Sequence, residues 1–539
     1  MPSFSDRPPY NPAITERFAA RGLNVRTDAV PKTQLLWSPR VGFNWDIAGN
    51  QTSQLRGNAG IFTGPPPFIL IANGYQNTGL GLVTLTCQGA NTPTFTTDIN
   101  NLPKSCLNQA APAPNSAGYA GINITDPDFK YPQFFVASAG YDRQLPWGVV
   151  GSVEALYRKA INAVFIRDLN LIGPRMVNGQ IYRDRNGRVL YADTIGTNGS
   201  PSGPSQRAIN TIGSNNVNFS EGAIYVTNQS KDYNYSLTGK LQRRFGGAFD
   251  ATVAYTYNRA KDVQSLTSDR AISNWRNGRE YSGLESEANL TTSAFERPHR
   301  ILAFGTYTFP WKSWGTSVTM YFEGISGSPI TYTANQDLNG DGNNTNDPIY
   351  VPKSATDQNE ILIGTMTTAG VFTQDVAAAQ AFDSFISSQP CLNKQRGQIM
   401  ERHSCRNPFQ KRLDLSLRQS LPTIRGKGAS LQLDVVNFAN LAGVLLDQIF
   451  PLDDITLDNG EKVEHLRDWG KNYGATISSF PQQQVLSATT GTGLRQRSPG
   501  PLSESMPVYT FNANVRNRGP FSFASNIGYQ MQLTFRYEF

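Results

Sequence analysis

The stretch "DLNGDGNNTND", Asp337 to Asp347, is where residue types and spacing come nearest to a known chemistry. Asp337, Asn339 and Asp341 place side-chain oxygens at the first, third and fifth positions of a calcium loop, and Gly342 falls at its sharp turn. Asn343 would offer a backbone carbonyl and Asp347 a late carboxylate. Calcium takes roughly six to eight such oxygens from a bent backbone. The loop departs from the pattern in having Pro348 where a bidentate Glu belongs. A weak structural calcium site and a plain Asx/Gly turn are both consistent with these residues.

The other reactive residues are four cysteines and three histidines. Cys87 and Cys106 flank one polar segment, and Cys391 and Cys405 flank "CLNKQRGQIMERHSC". Even-numbered pairs around short loops predict disulfides and an oxidising compartment. The alternative, a metal site of Cys391, His403 and Cys405, lacks a fourth ligand and any C-x-x-C spacing. His299, His403 and His465 are scattered, and no nucleophile elbow, zinc-protease helix or phosphate-cradling loop is present. The expectation is a protein that is not an enzyme, with no cofactor beyond structural calcium.

These residues must be positioned by something, and the composition points to strands. The 539 residues include 29 Phe, 22 Tyr, 48 Gly and 33 Pro. That mixture suits strands and turns. The mean hydropathy is −0.39, and no apolar run approaches the roughly 18 residues of a membrane helix. No signal peptide is read at the start; the chain is expected to be intracellular or to lack its natural beginning. The net charge of +7 is spread singly among acids, so nucleic acid is not an expected partner.

Five hairpins are predicted, with turns at 48–52, Pro146–Trp147, Gly246–Gly247, "PWKSWG" and "PTIRGKG". Between them run long Gly-, Asn-, Ser-, Thr- and Pro-rich connections, which are rare in compact soluble domains. Short turn alternating with long connection puts all turns at one end, as in outer-membrane β-barrels. The faces agree. Leu413, Leu415 and Leu417 alternate with Asp414, Ser416 and Arg418; Leu431, Leu433 and Val435 oppose Gln432 and Asp434. Lys240, Gln242 and Arg244 are expected to point into a wetted lumen with those polar residues, since a cation on the lipid face would cost about 2–4 kcal/mol. Trp147, Trp311 and Trp314 are expected in an interfacial girdle. Two segments break the pattern and predict short helices within outer loops, Thr373–Gln389 and Asp458–Gly474.

The chain ends in strict alternation, with Tyr529, Met531, Leu533, Phe535, Tyr537 and Phe539 on one face. This ending resembles the signal read by the outer-membrane barrel-assembly machinery. "CRNPFQKRLDLSLRQSLP", "LQLDVVNFANL", "PRVGFNWDIAGNQTSQLRGNAGIFTGPPP" and "FERPHRILAFGTYTFP" resemble TonB-dependent receptors, and "DLNGDGNNTNDP" with "QRGQIMERHSCRNP" is similar to the Oar-like branch. The resemblance implies an all-β antiparallel transmembrane barrel in the bacterial outer membrane. About eleven strands, in residues 40–539, would be the C-terminal half of a 22-stranded barrel, with residues 1–39 an outer loop and no plug domain read. It implies capture of an extracellular ligand and energised uptake. The expected partners are the TonB complex, the assembly machinery and outer-membrane lipid. A passive porin-like channel and a soluble extracellular adhesion or carbohydrate-binding protein are the rival expectations.

Overall fold

The computed structural model describes residues 6–20, 22–80, 87–108, 121–171, 173–191, 194–195, 201–202, 211–212, 217–218, 222–246, 248–309, 311, 315–367, 371–424, 427–449, 482–488, 502–503, 507–512 and 528–537. Its principal element is an antiparallel sheet whose main path runs through eleven strands in chain order. They are β1 (Arg40–Asp46), β2 (Ser53–Thr63), β3 (Gln133–Leu145), β4 (Val149–Asp168), β5 (Tyr233–Phe245), β6 (Phe249–Asp262), β7 (His299–Phe309), β8 (Thr316–Ile325), β9 (Gln410–Ile424), β10 (Lys427–Val436) and β11 (Gln530–Tyr537). All five predicted hairpins are present. Among the described residues β1 and β11 do not pair with each other, so the sheet is an open wall.

Turn chemistry sets one end of the wall. The Asp46 carboxylate accepts the Gly49 and Gln51 N–H groups at 3.0 and 2.7 Å, closing the first turn. Trp147 adopts φ +62° beside Gly148 at +68°, a left-handed pair that a two-residue reversal requires. Trp147 and Trp311 are exposed at this end; Trp314 lies outside the described residues.

Register then assigns each side chain to a face. Trp45 faces Leu55, Leu237 faces Ala155 and Tyr257, and Leu433 faces Leu417 and Leu533. This face stays apolar along the main path and is open to the surroundings: Phe43 is 56 % and Leu533 67 % exposed. Phe43 lies across Gly57, where an added Cβ would come within 2.7 Å of its ring, so the glycine makes room for the aromatic. An apolar surface of this extent suits hydrocarbon and not water. The opposite face carries Lys240, Gln242, Arg244, Asp414, Arg418, Gln432 and Asp434, as the alternation predicts.

At the other end the long connections are structured, and they pair into a second sheet that the sequence reading did not foresee. β4 runs on for 20 residues, and its outer half pairs with Ala223–Gln229. A second sheet is assembled from two different connections, in the order Phe372–Gln374, Leu362–Met366, Val508–Phe511, Gln482–Ala488, Pro329–Ala334 and Cys405–Arg406. The predicted helix forms as Val376–Ser388, capped by the Asp375 carboxylate on the Ala378 N–H at 2.9 Å. It buries Ala379, Phe382, Phe385 and Ile386 against this sheet; Val376, expected on the same face, is exposed. Residues 1–39, expected as an outer loop, contain a helix, Pro12–Ala19, because Ile14 and Phe18 find partners in Val25, Ile122, Ile124 and Ala223. The second predicted helix, at 458–474, lies outside the described residues.

If the apolar face meets lipid, Leu533→Arg and Thr534→Arg should part company. The first should lose about 2–4 kcal/mol of folding stability in vesicles near mid-depth. The second, one residue on, should lose little. Urea titration of the vesicle-reconstituted protein reads both.

Candidate functional site

The polar face of the wall is tied across strands. Arg56 of β2 reaches Asp142 of β3 at 2.9 Å and Glu154 of β4 at 2.6 Å. Arg300 of β7 meets Glu323 of β8 at 2.7 Å, and Ser416 of β9 donates to Asp434 of β10 at 2.5 Å. Part-exposed pairs of this kind contribute about 0–1 kcal/mol each. Their consequence is chemical: a charged, hydrogen-bonding surface lies behind the apolar one.

Above this wall two apolar cores meet. One holds Phe382, Phe385 and Tyr332; the other holds Phe129, Ile166, Tyr191 and Trp275. Buried charge joins them. Arg402 is 4 % exposed. Its Nε donates to Glu280 Oε2 at 2.8 Å, Nη1 to Asp262 and Thr291, both at 3.0 Å, and Nη2 to Ser265 Oγ and the Gly278 carbonyl, both at 2.8 Å. All five guanidinium protons are used. Arg188 binds Asp347 at 2.7 Å, and Arg406 binds Glu296. Arg402 and Arg406 tie the 326–409 connection to the one between β6 and β7, and Asp347 ties it through Arg188 to the one between β4 and β5.

His403 is buried in the same junction. Its Nδ1 donates to the Thr292 carbonyl at 2.7 Å, leaving Nε2 bare 3.7 Å from Glu280. Burial, aided by the Arg402 charge, pushes its pKa well below the usual imidazole range, against the carbonyl contact. Burial also pushes the Asp347 carboxyl up to about 7, with Arg188 opposing.

The calcium-loop residues fall together beside this junction, with their oxygens turned to protein hydrogens. Asp337 accepts the Gly340 and Gly342 N–H groups at 2.7 and 2.8 Å. Asn339 accepts the Asp341 N–H at 2.9 Å and donates to the Asp341 carboxylate at 3.1 Å. Asp341 also takes Tyr281, Asn346 and the Asn343 N–H; Asp347 takes Leu338 N–H as well as Arg188. Among the described residues no three His, Cys, Asp or Glu side chains gather as a metal cage. In this arrangement the loop oxygens accept protein N–H and O–H groups and tie the loop to the junction; burial and the Asp341 and Asp347 charges hold the Asp337 carboxyl well above the usual carboxylate range.

Both cysteine pairs are disulfides, Cys87–Cys106 and Cys391–Cys405, with Cα atoms 5.4 and 5.2 Å apart. This removes the metal alternative with His403. The second bridge ties the end of the Val376–Ser388 helical segment to the sheet. Of the alternating C-terminal residues, Met531 to Tyr537 lie in β11, Tyr529 immediately precedes it, and Phe539 lies outside the described residues. Arg402, Glu280 and Arg188 were missed from sequence, because nothing in "ERHSC" announces partners more than 100 residues away.

The profile of the outer membrane beta barrel domain family matches residues 7–443. The chain belongs to that family. The barrel wall therefore belongs to the bacterial outer membrane. Solved structures similar to it include the outer membrane transporter YddB from Escherichia coli, 12% identical with a TM-score of 0.32, covering 79% of this chain and 38% of that one. The ferric enterobactin receptor PfeA of Pseudomonas aeruginosa is 10% identical at TM-score 0.32, with coverage of 74% and 34%. The siderophore receptor PirA of Acinetobacter baumannii is 11% identical at 0.32, with 75% and 37%. This barrel chain thus spans less than two-fifths of their lengths. No curated protein matches it.

Two outcomes test the junction of this barrel. Arg402→Met leaves Asp262 and Glu280 buried without their cation, which should weaken the outer layer by about 3–5 kcal/mol; hydrogen exchange of residues 326–409 reads it. The depressed His403 should make the junction acid-labile: below about pH 6.5 the unfolded segment binds a proton that the buried ring refuses, so stability falls with pH. His403→Gln should flatten that acid limb in the same exchange measurement.

Proposed function

We propose that the chain forms the C-terminal half of the barrel of an Oar-like TonB-dependent receptor, which captures an extracellular ligand and admits it by energised uptake. The observation that carries this reading is the two-faced wall: apolar outside, ion-paired inside, and roofed by an outer layer held together by buried charge. A soluble protein has no use for so wide an exposed apolar face. The open edges of β1 and β11 favour a larger barrel, since unpaired strand edges cost several kcal/mol per group in lipid. The charged inner face suits contact with a polar plug and water. The built outer layer suits a ligand-capturing surface better than a set of free loops. The alternating β11, with Phe539 beyond it, is the segment we assign to the barrel-assembly machinery.

The experiment takes the natural gene product from outer membranes and asks whether it binds the isolated periplasmic domain of TonB. Specific binding, with no steady ion conductance in planar bilayers, supports an energised receptor. Conductance without TonB binding would replace it with a passive channel. Deleting Phe539 should lower the amount of folded, heat-modifiable protein in the outer membrane several-fold, with unchanged synthesis.

A further inference from the structure

At the outer end of the polar face the wall contains a cavity of about 380 Å³, within the range of small-molecule sites. Phe134, Arg158, Ala160, Asn234 and Ala260 line it, and all five alternate onto the polar face with Glu154 and Lys240. Val164, Leu266 and Phe295 add apolar wall.

Two polar groups here are left over from folding. The Arg158 guanidinium lies over the Phe134 ring, 3.6 Å from its centroid. Among the described residues it makes no hydrogen bond or close ion pair. Asp232 also lines the cavity; it accepts the Val263 N–H at 2.9 Å and attracts the Arg158 charge without a hydrogen bond to it. Directly across the ladder from Arg158 stands Asn234, whose buried Oδ1 has no partner. Carbonyl and amide ends of an Asn exchange by a flip, so Asn234 can present its N–H₂ beside the guanidinium.

A planar guanidinium held flat on a ring, next to a free amide, is a fork for a carboxylate. The buried Arg402 and Arg188 each hold a carboxylate. Arg158 is exposed to the cavity, its guanidinium lying over the Phe134 ring. We propose that this cavity is a ligand subsite for a carboxylate carried on an aromatic or similarly apolar body, with Arg158 and Asn234 holding the carboxylate and Phe134, Val164 and Leu266 the body.

The biological use of the subsite rests on the uptake reading; its chemistry does not. The test therefore uses the purified full chain in detergent, with 2-naphthoate as probe and uncharged 2-naphthalenemethanol as control, read by saturation-transfer NMR and titration. Wild type should bind 2-naphthoate more tightly than the alcohol. Arg158→Gln should weaken 2-naphthoate at least tenfold and Asn234→Leu several-fold, with the alcohol unchanged in both. If Arg158→Gln does not fold, Arg158→Lys keeps the charge without the fork and should still bind several-fold more weakly. No binding by wild type, or equal affinity in a folded Arg158 variant, overturns the proposal. Binding without TonB recognition would fault the uptake reading alone.

Discussion

A two-faced strand in a continuous antiparallel ladder is the constraint from which the rest follows. Each of the eleven strands offers one apolar and one polar edge of side chains, and the registers keep them aligned from Val41 to Leu533. A slip of one residue anywhere would carry a charge such as Arg56 or Asp434 onto the apolar face and an aromatic onto the polar one. Register is therefore specified at every pairing. The short turns reinforce it, because Asp46, Trp147 and Gly246 leave little freedom in how one strand returns to the next.

The wall also explains why the two ends differ so much. At the turn end the described residues make only the reversals. At the other end the strands deliver long connections that carry apolar residues of their own, and these must bury them. They do so jointly, in cores that no single connection could complete. Sheet strands drawn from 329–374 interleave with strands from 482–511. The result is a layer whose members hold one another in place over the mouth of the wall.

Buried charge supplies the specificity of that layer. Apolar cores tolerate sliding, whereas Arg402 must find Glu280, Asp262, Thr291, Ser265 and Gly278 together or leave carboxylates stranded. Asp341 acts similarly, accepting Tyr281, Asn339 and Asn346 at once. Arg158 and Asn234, by contrast, lie side by side on the polar face of the wall and line a cavity there.

Local rules decided much of this protein in advance. Period-two alternation, turn residues and the spacing of hairpins depend only on neighbours in the chain, so the eleven strands, their two faces and their order could be read directly. Cysteine spacing gave the two disulfides for the same reason. What tertiary structure alone decided was the outer layer. The short strands there, such as Pro329–Ala334, are buried on both faces and show no alternation, and their partners lie more than 70 residues away. The helix at Pro12–Ala19 forms because distant Ile122 and Ile124 cover it. The oxygens of "DLNGDGNNTND" were visible, but which would face a cation and which a protein N–H depended on Tyr281, Arg188 and Asn346 arriving around them. Long-range burial and charge pairing carry no local periodicity, and for that reason they appear only once the chain is folded.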